Sequence, residues 1–133
     1  MSAAKVASHA MNRKQALELF ERRRDAWLAS DLDAYLDLFS PELVFQSPAH
    51  VEPLRGRAAF EELVRGSAAH LAPEEFEFTH LVVDGDVVLA EWHIAARHRE
   101  SGRRIAWWGM SRCTIRDGRI ETWREYWNPA DVK

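Results

Sequence analysis

Cysteine is nearly absent. Of 133 residues only Cys113 carries a thiol, which excludes an internal disulfide framework and a cysteine-based zinc site. Long apolar runs are missing too: no stretch approaches the ~18 residues of a membrane span, and residues 1–10 lack a signal peptide's apolar stretch. Neither sign of charge is in excess. Lys and Arg number 18 against 21 Asp and Glu, and a formal net charge of −3 gives no general pull toward nucleic acid or anionic lipid. Repeats, low-complexity tracts and an interdomain linker are also lacking, so the expectation is a single cytoplasmic domain. Apolar residues at 47% and charged residues at 29% keep the chain in the ordinary globular range. What stands out is indole: six tryptophans, at 27, 92, 107, 108, 123 and 127. That much aromatic surface is rarely left in water, so it lines a core, a pocket or an interface.

Residues 1–11 are small and polar without a period and read as a flexible arm, leaving 12–131 as one domain. Asn12 followed by Gln15 fits a capping box, and Leu17, Phe20, Trp27 and Leu28 recur at helical spacing to about Ser30. Asp31 caps a shorter helix with Leu32, Tyr35, Leu36 and Phe39, which Pro41 stops. Residues 43–46 read as a short strand, 49–55 as a loop, and 57–70 as a third helix with Phe60, Leu63 and Val64 on its apolar side. From Glu74 the period changes to two. Strands are expected over 76–83, 87–99, 103–116 and 119–128, separated by turn signals at Asp84-Gly85-Asp86, Ser101-Gly102 and Asp117-Gly118. Three helices followed by an antiparallel meander predict an α+β fold.

In strand 87–99 the even residues Val88, Ala90, Trp92, Ile94 and Ala96 are apolar, while the odd ones include Glu91, His93 and Arg97. The even set therefore faces inward. A two-residue loop at Ser101-Gly102 sets Trp92 opposite Ser111, Ile94 opposite Gly109 and Ala96 opposite Trp107. The same reading of Asp117-Gly118 turns Ile120, Thr122, Arg124 and Tyr126 inward. A bulge or a three-residue loop there turns Trp123, Glu125 and Trp127 inward instead, and spacing alone leaves both open. Glu91 and His93 stand two apart, as metal ligands can, but on the outer face and without a third ligand nearby, so no metal is expected. The basic stretch 97–104 lacks interleaved aromatics and reads as a solvated hairpin tip, not a nucleic-acid site.

The run Ile115-Arg-Asp-Gly-Arg-Ile-Glu-Thr-Trp-Arg-Glu-Tyr-Trp-Asn128 looks like a known terminal hairpin. With Leu28-Ala-Ser-Asp-Leu-Asp-Ala-Tyr, Leu54-Arg-Gly-Arg-Ala-Ala-Phe and Ala90-Glu-Trp, it makes the chain resemble the SnoaL-like branch of the NTF2-like superfamily. The resemblance implies an α+β cone: three N-terminal helices packed in a curved, mixed, mostly antiparallel sheet. It also implies a homodimer through the open sheet face, which carries Trp108. That fold hosts isomerases, dehydratases, cyclases, hydrolases and non-enzymes, so it does not choose an activity. Carried over by resemblance, ketosteroid isomerase's helix tyrosine falls on Arg23, its base on Ser47 and its oxyanion-hole aspartate on Ser111; that proton shuttle is not expected here. Limonene-1,2-epoxide hydrolase's water-holding pair falls on Phe45 and Ser47, and its strand Arg and Asp on Trp92 and Ile94. Its last carboxylate is kept as Glu125, where the phenazine-pathway acid–base protein also carries a catalytic glutamate. All three place that position inside the cone, which selects Trp123, Glu125 and Trp127 as the inward set.

On this basis the expected function is a cofactor-free acid–base enzyme acting on an apolar cyclic or aromatic metabolite. Glu125 would transfer the proton, because an apolar wall strips water from a carboxylate and suits it to acid–base work. Arg23 sits where the helix's apolar stripe expects a hydrophobe: facing inward it would be the electrostatic partner of Glu125, and otherwise it joins Arg22 and Arg24 in a solvated basic patch. Ser47 and His50 would position the substrate, with Trp27, Phe45, Trp92, Ile94, Trp107, Ser111, Trp123 and Trp127 lining the cavity. His98 has the inward parity but lies near the hairpin end, and is expected at the rim or in solvent. The alternative is a non-catalytic ligand-binding or dimerisation module in which Glu125 is structural.

Overall fold

The computed structural model describes residues 12–132; the arm expected over 1–11 lies outside the described residues. Helix α1 (Arg13–Leu28) opens on the capping box that Asn12 and Gln15 promise. The Asn12 side chain accepts from the Gln15 amide at 2.8 Å, and the Gln15 side chain accepts from the Asn12 amide at 3.2 Å. Two otherwise orphaned N–H groups are thereby satisfied. Helix α2 (Leu32–Asp37) is capped by Asp31, which accepts from the Ala34 amide. Strands β1 (Phe39–Gln46) and β2 (Leu54–Arg55) come next, then helix α3 (Arg57–His70) and strands β3 (Leu71–Asp84), β4 (Val87–His98), β5 (Arg104–Arg116) and β6 (Arg119–Tyr126). A 3-10 turn, Pro129–Val132, follows.

Six strands form one curved α+β sheet in the order β2-β1-β6-β5-β4-β3. The β1–β6 pair is parallel and the rest are antiparallel. The expected helical layer needs correcting, because only α1 and α2 precede the sheet: α3 follows β1 and β2. Residues 49–55 are not wholly loop, since Leu54 and Arg55 pair with Phe45 and Val44. Nor does Pro41 end a helix. It lies inside β1, in the stretch between Phe39 and Val44 where the ladder with β6 is irregular, the place where a residue without an N–H is tolerated.

The inner face of β4 carries Val88, Ala90, Trp92, Ile94 and Ala96, all buried. Its register on β5 differs from a two-residue loop: Trp92 stands opposite Gly109, Ile94 opposite Trp107 and Ala96 opposite Ile105. The connection holds four residues, 99–102, closed by hydrogen bonds from the His98 amide to Arg103 O and from the Gly102 amide to His98 O, both 2.8 Å. A slip of two residues preserves the faces, so the inward set survives. The Trp92 ring covers Gly109 so closely that a Cβ there would overlap it.

The last hairpin settles the open parity. Asp117-Gly118 is a two-residue turn, with Arg116 opposite Arg119 and Ile115 opposite Ile120, but Thr114 then pairs with Thr122. Glu121 is the extra residue of a β-bulge, and everything after it changes face. Thr114 and Thr122 close the step with an Oγ1–Oγ1 hydrogen bond of 2.7 Å. Ile120 is inward as the two-residue loop requires; beyond the bulge it is Trp123, Glu125 and Trp127 that turn in, not Thr122, Arg124 and Tyr126. Among the described residues no helix is long and apolar enough to cross a membrane.

Candidate active site

Helices and inner sheet face enclose a cavity of about 420 Å³, to which every element except β2 contributes wall. Arg23 and Trp27 come from α1, Tyr35 from α2, Phe45 from β1, and Trp92, Ile94 and Trp107 from β4 and β5. Ser47 and His50 enter just after β1, Glu125 and Trp127 at the end of β6. The parallel ladder explains the neighbourhood. Phe45 stands beside Trp123 and Gln46 beside Arg124, so one step further along both chains come Ser47 and Glu125.

Two indoles hold Glu125. Trp123 Nε1–H donates to Oε2 and Trp127 Nε1–H donates to Oε1, each at 3.0 Å. Trp123 and Trp127 flank the glutamate at alternate strand positions, so the same face presents ring, carboxylate, ring. The carboxylate is fixed at both oxygens yet keeps further lone pairs.

Arg23 is buried, so it faces inward and does not join a solvated basic patch. Its Nη2 donates to the Tyr35 hydroxyl at 2.9 Å, while Nε is buried without a hydrogen-bond partner. The guanidinium lies over the Trp123 ring, 4.1 Å from its centroid, with the rings of Tyr35 and Phe76 at 5.3 Å. The expected Arg23–Glu125 ion pair does not form: the cation turns to Tyr35 and aromatic faces, the anion to two indole N–H groups. Burial pushes the Tyr35 phenol up from its ordinary range, against the opposing pull of Arg23.

Ser47 and His50 form a hydrogen-bonded pair, with Oγ and Nδ1 2.9 Å apart. The loop builds it locally: the His50 amide donates to Ser47 O, the Ala49 amide to Ser47 Oγ, and the Gln46 side chain to His50 O. With Nδ1 occupied, Nε2 is the ring nitrogen left for another partner.

Two expected lining residues stand elsewhere. Ser111 is buried beneath the wall, where its Oγ accepts from Trp92 Nε1 at 2.7 Å. Trp123 is sealed between Phe20 and Arg23 and reaches the site only through its N–H. His98, expected at the rim or in solvent, borders the cavity. Sequence reasoning missed Tyr35 and His70 as wall residues. Tyr35 was visible as the one polar atom on the stripe of α2, the helix next to a stripe holding an unexplained arginine.

A family model for the SnoaL-like domain matches residues 20–123. The chain belongs to this family. The chain is 26% identical over 126 residues to the uncharacterized protein YesE of Bacillus subtilis (strain 168), covering 90% of this chain and 86% of that one. It resembles the crystal structure of a Bacillus subtilis protein provisionally named an isomerase, with a TM-score of 0.83, 25% identity, and 92% and 94% of the two chains covered. An LEH-like epoxide hydrolase of M. tuberculosis shares the fold, with a TM-score of 0.76 at 24% identity over 89% and 86% of the chains. An NTF2-like protein of Burkholderia xenovorans LB400 shares the fold as well, with a TM-score of 0.70 at 17% identity over 92% and 95% of the chains, so the fold is NTF2-like. Among the described residues of this SnoaL-like domain no group of three or more His, Cys, Asp or Glu is placed to hold a metal. Glu91, on the outer face, spends its carboxylate on Thr79 and His80, whose hydrogen bonds hold it below its ordinary range.

Proposed function

We propose that this chain is a small cofactor-free acid–base enzyme for an apolar, cyclic or aromatic metabolite, with Glu125 taking and returning the proton. The observation that carries this reading is a carboxylate fixed at each oxygen by an indole N–H, on the wall of a mostly hydrocarbon and aromatic cavity. A group oriented before the substrate arrives loses no freedom at the moment of transfer. The Ser47–His50 pair adds a hydroxyl and an imidazole on the same wall, suited to positioning a substrate oxygen or a water. Proton abstraction beside a carbonyl, isomerisation, dehydration, cyclisation and hydrolysis all lie within this chemistry. Names among the structural neighbours, an isomerase and an epoxide hydrolase, support the class. The rival reading, a non-catalytic ligand-binding module, has one observation on its side: both Glu125 oxygens already have partners inside the protein.

Solvent exchange separates the two without a known substrate. With 2-tetralone in deuterated buffer, wild type is expected to accelerate hydrogen–deuterium exchange beside the carbonyl. Glu125→Gln should lose about 10²-fold or more of that acceleration. Binding of the ketone with no exchange, or exchange untouched by the substitution, supports the binding module.

The same proposal takes the protein to be a cytoplasmic homodimer that binds neither nucleic acid nor membrane. The outer sheet face leaves Leu89, Trp108, Met110 and Tyr126 exposed, Trp108 at 56%. A second copy packing on this patch would cover it.

A further inference from the structure

We infer that the ligand is an anion whose carboxylate seats on Arg23. The inference deepens the proposed function and rests on its reading of the cavity as the ligand site.

Arg23 is 4% exposed and borders the cavity. Among the described residues the fold gives its guanidinium one hydrogen-bond acceptor, the Tyr35 hydroxyl, and leaves Nε with none. The rings of Trp123, Tyr35, Phe76 and Phe39 surround it at 4.1–5.8 Å. Ring faces attract a cation, but they accept no strong hydrogen bond and carry no net charge. A buried cation in that state is costly unless an anion completes its shell. Glu125, the one acidic side chain on the wall, is engaged by two indoles. A planar guanidinium with unused donors is the geometry that accepts a carboxylate through paired N–H bonds.

Placement supports the assignment. Arg23 lies over the face of Trp123, and Glu125 lies at that same indole's N–H edge. One indole therefore separates cation from anion. A ligand with its carboxylate at Arg23 presents its carbon skeleton toward Glu125 and keeps its own charge away from the glutamate. The remaining titratable groups on the wall are Tyr35, His50, His70 and His98. Protonated histidines are the competing source of positive charge, and they lose it as pH rises while arginine does not.

Calorimetric titration of the full chain with 2-naphthoate and its neutral isostere 2-naphthamide, at pH 6 and pH 9, tests this. Wild type should prefer naphthoate by about tenfold or more at both pH values, as a charge-assisted paired hydrogen bond implies. Arg23→Met should abolish the preference and still bind naphthamide, while Arg23→Lys should retain part of it. Equal affinities at pH 9, a preference confined to pH 6, or a preference surviving Arg23→Met overturns the inference. If Arg23→Met does not fold, the wild-type comparison at pH 9 decides. Outcomes also separate the two proposals. Equal binding of both probes sinks only the anion assignment; a naphthoate preference without ketone exchange sinks only the catalytic one. Binding of neither probe removes the cavity reading on which both rest.

Discussion

Glu125 and its two indoles are a unit of three side chains whose hydrogen bonds all run one way, N–H to carboxylate. A glutamine in that place keeps one oxygen and turns its NH2 toward the other indole N–H, donor against donor. Glu125→Gln should therefore lower stability by about 1–2 kcal/mol, the cost of one lost bond and one stranded donor, while leaving a cooperative fold; urea denaturation measures it. A loss of several kcal/mol would mark the carboxylate as part of the framework and favour the binding-module reading. Arg23 is the complementary case. No ion pair is broken by removing it, so Arg23→Met should not show the large penalty of a severed buried pair. The apolar stripe it interrupts made an inward direction one of two readings, the other being a solvated patch with Arg22 and Arg24, and burial in the fold decides for the first. Its partner could not be read, because a phenol and four ring faces satisfy no charge rule that a sequence displays.

At the scale of elements, one residue decides what the site contains. Without the bulge at Glu121, strict alternation after Ile120 would put Thr122, Arg124 and Tyr126 inside and leave Trp123, Glu125 and Trp127 in water. Deleting Glu121 should therefore abolish the cooperative fold, because the ladder must either bury Arg124 or lose its pairing with β1. Far-UV and near-UV circular dichroism would show this as secondary structure without fixed aromatic packing. A native near-UV spectrum would refute the account. The helices, the β4 faces and the Asp-Gly turn were legible, since caps, period and turn chemistry are local. The bulge was legible only as one of two options, because alternation is compatible with either face; the family resemblance, and not spacing, picked the inward set that the ladder carries. The Ser101-Gly102 loop was misjudged by two residues for a related reason: its chemistry suits a tight turn, but the ladder ends at Arg97 and Arg104. Strand β2 escaped notice because two residues carry no period.

For the whole molecule, two buried groups set the alkaline limit. Burial pushes the Cys113 thiol up to about 12 and the Tyr35 phenol upward as well. Both hold their protons more tightly folded than unfolded, so their contribution is intact below the unfolded values, roughly 8.5 for a thiol and 10 for a phenol. It declines as pH rises through the folded ones. The melting temperature should stay level to about pH 8 and then fall, and Cys113→Val should delay the onset of that fall. A level melting temperature through pH 10.5 would contradict this. Association is the second test: sedimentation at tens of micromolar, roughly where standard interfaces are populated, should show a dimer that Trp108→Glu dissociates. A monomeric wild type would leave the exposed outer face without its proposed cover. The parallel β1–β6 ladder, finally, has a consequence in time. It joins residues 39–46 to residues 120–124, across about two-thirds of the domain, and such a closure is entropically late in folding. Ser47 and Glu125 become neighbours only at that step. During synthesis the nascent chain therefore lacks the candidate site until β6 has emerged and docked, and on the proposed function ligand capture would report the completion of folding and not its progress.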